Sequence, residues 1–347
     1  MRPRHRTFRV PSFASPLHPC LGSSRLRLPL PLSAMPSDDV LSADRFPRAT
    51  KYHPDWILAG VSGGAPCLQL TEWLTQALTL KPGMRVLDLG CGRALSSIFL
   101  RREFGVQVWA ADLWFDPSEN YRRIEDAGVA DGVFPIRADA RSLPFAADFF
   151  DAVVSVDSWI HYGTEDGFLR TLARFVKPGG QIGIAQAGLT CELDDPIPPH
   201  LREWWMEDQP WCLHSASWWR RHWERTGILD MAVADSLPEG WRHWLNWLRR
   251  MAPGNTTEIQ TVEADAGRYL GFVRVVGRRR SGVALPEPIL SVPTQYQKAP
   301  LLRDSGQASN PGTIAGDSVE WIEGGLPLGV PDEEFRNPAA SGDSGRG

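Results

Sequence analysis

In Val86-Leu87-Asp88-Leu89-Gly90-Cys91-Gly92-Arg93-Ala94, a carboxylate stands two residues ahead of two alternating glycines. Apolar residues lead in and helix formers follow, so the stretch reads as strand, tight turn, helix. Glycine at such a turn lets backbone approach a nucleotide-like ligand closely. Asp112 lies about twenty residues further on, the spacing at which an acid reaches ribose hydroxyls. Asp88 narrows the choice of ligand. A pyrophosphate would meet a like charge there, whereas a cationic ligand would be attracted. The dinucleotide pattern also fails, since Leu95 stands where its third glycine belongs. Arg93 pulls the other way, toward phosphate, and keeps a nucleotide-dependent oxidoreductase open as an alternative. Asp88 acting only as a cap of the next helix is the structural alternative.

A second group that could do chemistry is Asp-Ser-Trp-Ile-His-Tyr-Gly-Thr-Glu-Asp-Gly (157–167). His161 is the candidate base, because an unperturbed imidazole titrates near neutrality. Tyr162 is a candidate for orienting an acceptor. A lone histidine serves equally well as a hydrogen-bonded structural residue. The cysteines (Cys20, Cys67, Cys91, Cys191 and Cys212) are odd in number, scattered and never in a CxxC pair. They support neither a disulfide framework nor a zinc site, and no metal is expected; a reducing compartment such as the cytoplasm is.

The elements that position these residues alternate. Strand-like runs occupy 85–90, 106–112, 133–139, 151–157 and 180–187, with later ones at 228–235 and 269–277. Helical spacing occupies 70–80, 94–104, 117–128, 164–176 and about 215–226, and Lys177-Pro178-Gly179-Gly180 reads as a helix stop. Strands separated by helices predict a doubly wound α/β domain with a mostly parallel sheet, whose ligands sit beyond the carboxyl ends of the strands.

The 347 residues carry a net charge of −4, with 42% hydrophobic and 22% charged side chains. Nothing there advertises nucleic acid as a partner, and no apolar run reaches the ~20 residues needed to span a bilayer. Residues 1–44 read as a disordered, targeting or mis-started extension, with six arginines before residue 38 and a second methionine at Met35. Residues 281–347, with ten glycines and eight prolines, read as a disordered tail, leaving a folded unit over 45–280. Nine of the fifteen tryptophans fall in 204–247 (Trp204, Trp205, Trp211, Trp218, Trp219, Trp223, Trp241, Trp244 and Trp247). With the Pro-rich 190–214 they suggest a lid or insert over about 190–250. Most are expected in the core and only two or three against a substrate. The oligomeric state is not readable.

Residues from about 50 to 278 resemble the class I S-adenosylmethionine-dependent methyltransferases of the small-molecule and lipid-modifying group. The likeness rests on 86–94 as the first motif, Asp112 ending the second strand, 138–145 and 150–158 as the third and fourth motifs, and 175–185 entering the fifth strand. It implies a seven-stranded Rossmann-like sheet with an antiparallel last strand, S-adenosyl-L-methionine as cofactor, and methyl transfer by in-line displacement to a small-molecule or lipid acceptor. It further implies that Asp88, Gly90 and Gly92 frame the methionine part of the cofactor and that Asp112 holds the ribose. Leu113 then packs near the adenine, Asp139 and Ala140 meet its edge, and Ser155 lies near the sulfonium. His161 and Tyr162 fall where such enzymes face their acceptor. In cyclopropane synthases of this group a Glu-His pair follows the fourth strand, but Ile160 precedes His161 here, which argues against ring closure. A non-catalytic cofactor-binding regulator or scaffold is the alternative from another class.

Overall fold

The computed structural model describes residues 45–165, 167–208 and 212–285, with backbone alone at 207 and 208. The extension over 1–44, most of the expected tail, Asp166 and Trp211 lie outside the described residues. In chain order the elements are α1 (Pro54–Ala59), α2 (Cys67–Thr75), β1 (Arg85–Leu89), α3 (Leu95–Phe104), β2 (Gln107–Asp112), α4 (Pro117–Asp126), β3 (Val133–Arg137) and β4 (Phe150–Val156). There follow α5 (Phe168–Ala173), β5 (Val176–Leu189), α6 (Arg202–Asp208), α7 (Ala216–Glu224), β6 (Leu229–Ser236), α8 (Gly240–Met251), α9 (Thr256–Asp265) and β7 (Leu270–Arg279).

The strands form one sheet in the order β3-β2-β1-β4-β5-β7-β6. β1 to β5 pair in parallel, and β7 inserts antiparallel between β5 and β6. This is the doubly wound, mostly parallel sheet that the sequence predicts. Strand order reverses between β1 and β4, so the crevice for a ligand opens beyond their carboxyl ends. Both strands are covered on both faces, which is why they read as nearly continuous apolar runs. Val86, Leu87, Ala152, Val153 and Val154 are fully buried. Asp88 and Ser155, equally buried, break those runs at the switch point.

One core cluster joins Leu74, Ile98 and Ile124 of α2, α3 and α4 to one sheet face, together with Trp204, Trp244 and Val262 of α6, α8 and α9. The other joins Leu172, Trp219 and Trp223 of α5 and α7 to the opposite face. Helices thus flank both faces.

The structure corrects several boundaries. Residues 177–180 do not stop a helix; they lie inside β5, while α5 already ends at Ala173. Phe175 is buried against the sheet, and its carbonyl accepts from Phe150 N at 2.9 Å, which draws the chain into the strand early. Gly179, with φ of +78°, and a register shift between Phe150 and Ala152 absorb the irregularity. Helix α2 begins and ends earlier than the expected 70–80. The expected insert is built as α6 before α7 and α8–α9 between β6 and β7. Among its described tryptophans, Trp204, Trp219, Trp223, Trp244 and Trp247 are buried, as the packing reading expects.

Candidate functional site

The crevice is built on the two buried polar residues of the central strands. Asp88, at the end of β1, accepts hydrogen bonds through Oδ2 from Ser96 Oγ and Ser97 Oγ of α3, both at 2.6 Å. The carboxylate therefore braces the following helix through two serine side chains and does not cap it: α3 has Ala94 at its N-cap and no side-chain cap there. Its second oxygen, Oδ1, is buried and has no partner. Burial pushes the carboxyl pKa up to about 6, with the serine hydroxyls working against the rise. A buried acceptor without a donor is costly, so Asp88 suits a ligand that brings a donor or positive charge.

The glycine turn follows at once. Gly90 and Gly92 have φ of +74° and +54°. A Cβ on Gly90 would lie 1.8 Å from Ser158 Oγ, and one on Gly92 would lie 1.9 Å from Ser62 Oγ. Only glycine satisfies both the backbone and the close approach. Ala94, at φ 63°, enters α3 in the same left-handed region. Arg93 is engaged within the protein: its Nη1 donates to Val61 O at 2.5 Å and its guanidinium lies 5.3 Å from the Phe115 ring. With Arg123 Nη1 on Ala59 O at 3.2 Å, it ties the segment before α2 down beside the turn. These contacts give Arg93 a structural role in holding that segment.

Asp112 ends β2 with its carboxylate spread over three amides. Oδ2 accepts from Gly92 N at 2.8 Å, and Oδ1 from Trp114 N at 2.8 Å and Phe115 N at 3.2 Å. Oδ2, with one donor, keeps a lone pair for a ribose hydroxyl. Leu113 and Trp114 beside it are 43% and 64% exposed, an apolar wall open to a flat ring. Ala138 N donates to Asp112 O at 3.0 Å and brings the loop after β3 to the same place. There Asp139 Oδ1 accepts from Arg141 N at 2.9 Å, and Ala140 is nearly buried.

After β4, Ser155 Oγ lies 3.2 Å from Tyr162 Oη, which is also 3.0 Å from Ser158 Oγ and 3.4 Å from Leu89 O. Tyr162 is buried, and burial raises its phenol well above the ordinary value. It stands behind the glycine turn, 3.6 Å from where a Gly90 Cβ would be. That is a supporting position for the turn. His161 is exposed at the rim, edge-on to Trp114 with centroids 5.1 Å apart. Desolvation holds its imidazole below the ordinary value, against the charge of Asp112.

Sequence reasoning missed Asp157, Trp114 and the pair Glu192 and His214. Asp157 caps β4 at φ +53°, a conformation unusual for a side-chain-bearing residue and concentrated at functional sites. Burial pushes its carboxyl up to about 7, against hydrogen bonds from the Ala187 and Ala65 amides. Its position as the last letter of a strand ending in Val-Asp was the available signal. Glu192 and His214 carried none, because no local pattern links them. Among the described residues no group of metal ligands assembles, and no helix is long and apolar enough to cross a membrane.

Residues 86–180 match the methyltransferase domain family. The methyltransferase GfsG of Streptomyces halstedii is 36% identical over 128 residues, covering 37% of this chain and 46% of that protein. The demethylmenaquinone methyltransferase of Mycobacterium bovis is 34% identical over 120 residues, covering 35% and 45%. The matched region thus spans less than half the length of these curated relatives. Among solved structures, a Galdieria sulphuraria protein provisionally described as a sarcosine dimethylglycine methyltransferase superposes with a TM-score of 0.51 at 20% identity. It covers 62% of this chain and 86% of that one. Residues 86–180 thus match the methyltransferase domain family, within a seven-stranded sheet whose fold is shared with that solved structure.

Proposed function

We propose that this protein transfers a methyl group from S-adenosylmethionine to a small-molecule or lipid acceptor. The observation that carries the reading is Asp88, whose unpartnered Oδ1 is buried at the switch point beside two glycines that admit no side chain. The residues fit the cofactor: Asp88 would face its cationic amino-acid end, Gly90 and Gly92 its close backbone contacts, and Asp112 its ribose. Leu113, Trp114, Asp139 and Ala140 would border its adenine, with Ser155 near the sulfur. When bound, the cofactor supplies an already activated methyl group. The chain then has to hold an acceptor in line and keep water out.

Tyr162 fixes Ser155, Ser158 and the glycine turn relative to one another. His161 and Trp114 form the rim through which an acceptor would pass. An acceptor of low molecular weight suits a chain with net charge −4 better than nucleic acid does, and the scattered cysteines, odd in number and without a CxxC pair, support a reducing compartment such as the cytoplasm.

Calorimetric titration of the full chain with S-adenosylhomocysteine, with NAD as control, tests the reading. Saturable binding of the first alone is the expected result. Binding of NAD instead would overturn it.

A further inference from the structure

A second polar cluster stands at the carboxyl end of β5, outside the cofactor residues. β5 outruns β4: Val156 pairs with Ala185, and Asp157 N donates to Ala185 O at 2.9 Å, so Gln186–Leu189 form a wall beyond the end of β4. The chain returns to that wall at His214 and Ser215, where Leu189 N donates to His214 O at 3.2 Å and Leu189 bridges Ser215. Here His214 Nδ1 and Glu192 Oε2 are 2.9 Å apart. Glu192 Oε1 accepts from Ser215 N and Ser215 Oγ, both at 2.6 Å. The imidazole lies flat on the Trp218 indole, with centroids 3.6 Å apart and planes inclined by 6°.

The protonation of the pair follows from its donors. Burial would raise the Glu192 carboxyl, but the hydrogen bonds from His214 and Ser215 outweigh it and hold the pKa below the ordinary value. An ionised Glu192 can only accept, so His214 donates through Nδ1, and in the neutral imidazole Nε2 is then the acceptor nitrogen. Nε2 makes no hydrogen bond to another described residue. The side chain is 20% exposed, neither sealed in the core nor free. His161, by contrast, has no carboxylate on its ring. Asp157, at the end of β4, is held by the Ala185 carbonyl and the Ala187 amide of this same β5 extension, so the wall that carries His214 borders the crevice beyond β4. The same network holds α7, since Trp218 N donates to Ser215 Oγ at 3.2 Å and Trp218 is the ring under the imidazole, but neither contact uses Nε2.

We propose that His214, oriented by Glu192, is the proton acceptor for a protic acceptor molecule, a phenol or enol, whose oxygen receives the methyl group. The O–H bond breaks with its proton passing to Nε2 and its electron pair staying on oxygen. That oxygen bonds the methyl carbon as the carbon–sulfur bond breaks and its pair goes to sulfur. The imidazolium then yields the proton to solvent. His214 is thereby a catalytic residue and Glu192 a positioning residue. The proposal rests on the methyltransferase reading.

The test uses the full chain labelled with 15N-histidine, loaded with S-adenosylhomocysteine, together with His214→Gln and Glu192→Gln. Long-range proton–nitrogen spectra at pH 8 should show His214 with Nε2 unprotonated and its ring signals moved by S-adenosylhomocysteine. Glu192→Gln should lose that fixed tautomer. His214→Gln should bind S-adenosylhomocysteine within about twofold of wild type, yet methylate simple phenols at least roughly 100-fold more slowly, the scale of a lost general base. A proton on Nε2, a His214 signal indifferent to bound S-adenosylhomocysteine, or undiminished turnover in His214→Gln would each overturn the dyad. A wild-type protein that binds S-adenosylhomocysteine but methylates none of the phenols would overturn the acceptor class. Failure to bind it at all would strike the underlying reading.

Discussion

Asp88→Asn should separate stability from ligand binding. In the folded protein the Asp88 carboxyl titrates at about 6, against an ordinary 3.8. A rise of roughly two units makes the ionised form cost about 3 kcal/mol in the folded state. The sign is that of a raised pKa: the folded state binds the extra proton, so this stability is present below about pH 4 and is lost as pH rises through about 6. Asparagine resembles the neutral acid and can still accept from Ser96 and Ser97. Its amide would occupy the orphaned side without a partner, costing back about 1–2 kcal/mol. The ligand-free variant should therefore be more stable than wild type at pH 8 by about 1–2 kcal/mol and should lose that advantage by pH 4.5. Affinity for S-adenosylhomocysteine should move the opposite way and fall about 10- to 100-fold, since a charged hydrogen bond is worth about 1.5–3 kcal/mol. Urea unfolding at the two pH values and calorimetric titration at pH 8 read both quantities. A variant less stable than wild type at pH 8, or one that binds as tightly, would refute the reasoning.

Gly90→Ala places a Cβ 1.8 Å from Ser158 Oγ at φ +74° and should abolish S-adenosylhomocysteine binding while the circular dichroism spectrum keeps its α/β form. Asp112→Ala frees the amides of Gly92, Trp114 and Phe115, and calorimetry should show binding weakened by at least about tenfold. Trp223→Ala empties a fully buried site whose ring lies 5.5 Å from that of Trp159, and denaturant unfolding should show a loss of about 3–5 kcal/mol. The same change at the half-buried Trp241 should cost markedly less, which would set packing apart from ligand contact within the tryptophan-rich insert.

The sheet was legible because its central strands are buried on both faces and its turns need particular residues. Val86–Leu89 and Ala152–Val156 announce themselves as apolar runs, and an acid or serine inside such a run has few structural excuses. The cofactor side was legible for the same reason: Asp88, Gly90, Gly92 and Asp112 sit at fixed offsets from strand ends, so spacing along the chain translates directly into spacing across the crevice. Boundaries failed where tertiary packing overrode local preference. Lys177-Pro178-Gly179-Gly180 has the composition of a helix stop, but burial of Phe175 and pairing with β4 carry it into a strand. Helices α8 and α9 went unread, and their stability comes from packing. Trp244 and Leu248 bury in the core, and Trp244 Nε1 donates to Glu258 Oε1 at 3.0 Å, contacts that the reading of a tryptophan-rich lid or insert over about 190–250 did not resolve into helices.

The acceptor side resists sequence reading for a deeper reason. Its residues come from segments joined only by the sheet's own termination. Glu192 follows the end of β5, His214 precedes α7, and they meet because Leu189 extends the strand far enough for the returning chain to pair with it. No period of two or of 3.6 residues relates such positions, so only three-dimensional pairing can reveal them. The same logic explains why His161, the more conspicuous histidine in the sequence, makes the weaker base. It lies in a short turn directly after β4, where pattern draws attention to it. That turn gives its ring an indole edge and no carboxylate to fix a tautomer. If specificity in this fold is carried by what grows from the strand ends, then His161→Ala should alter acceptor affinity more than turnover rate. His214→Gln should do the reverse, and comparing KM with kcat for the two variants decides between the two histidines.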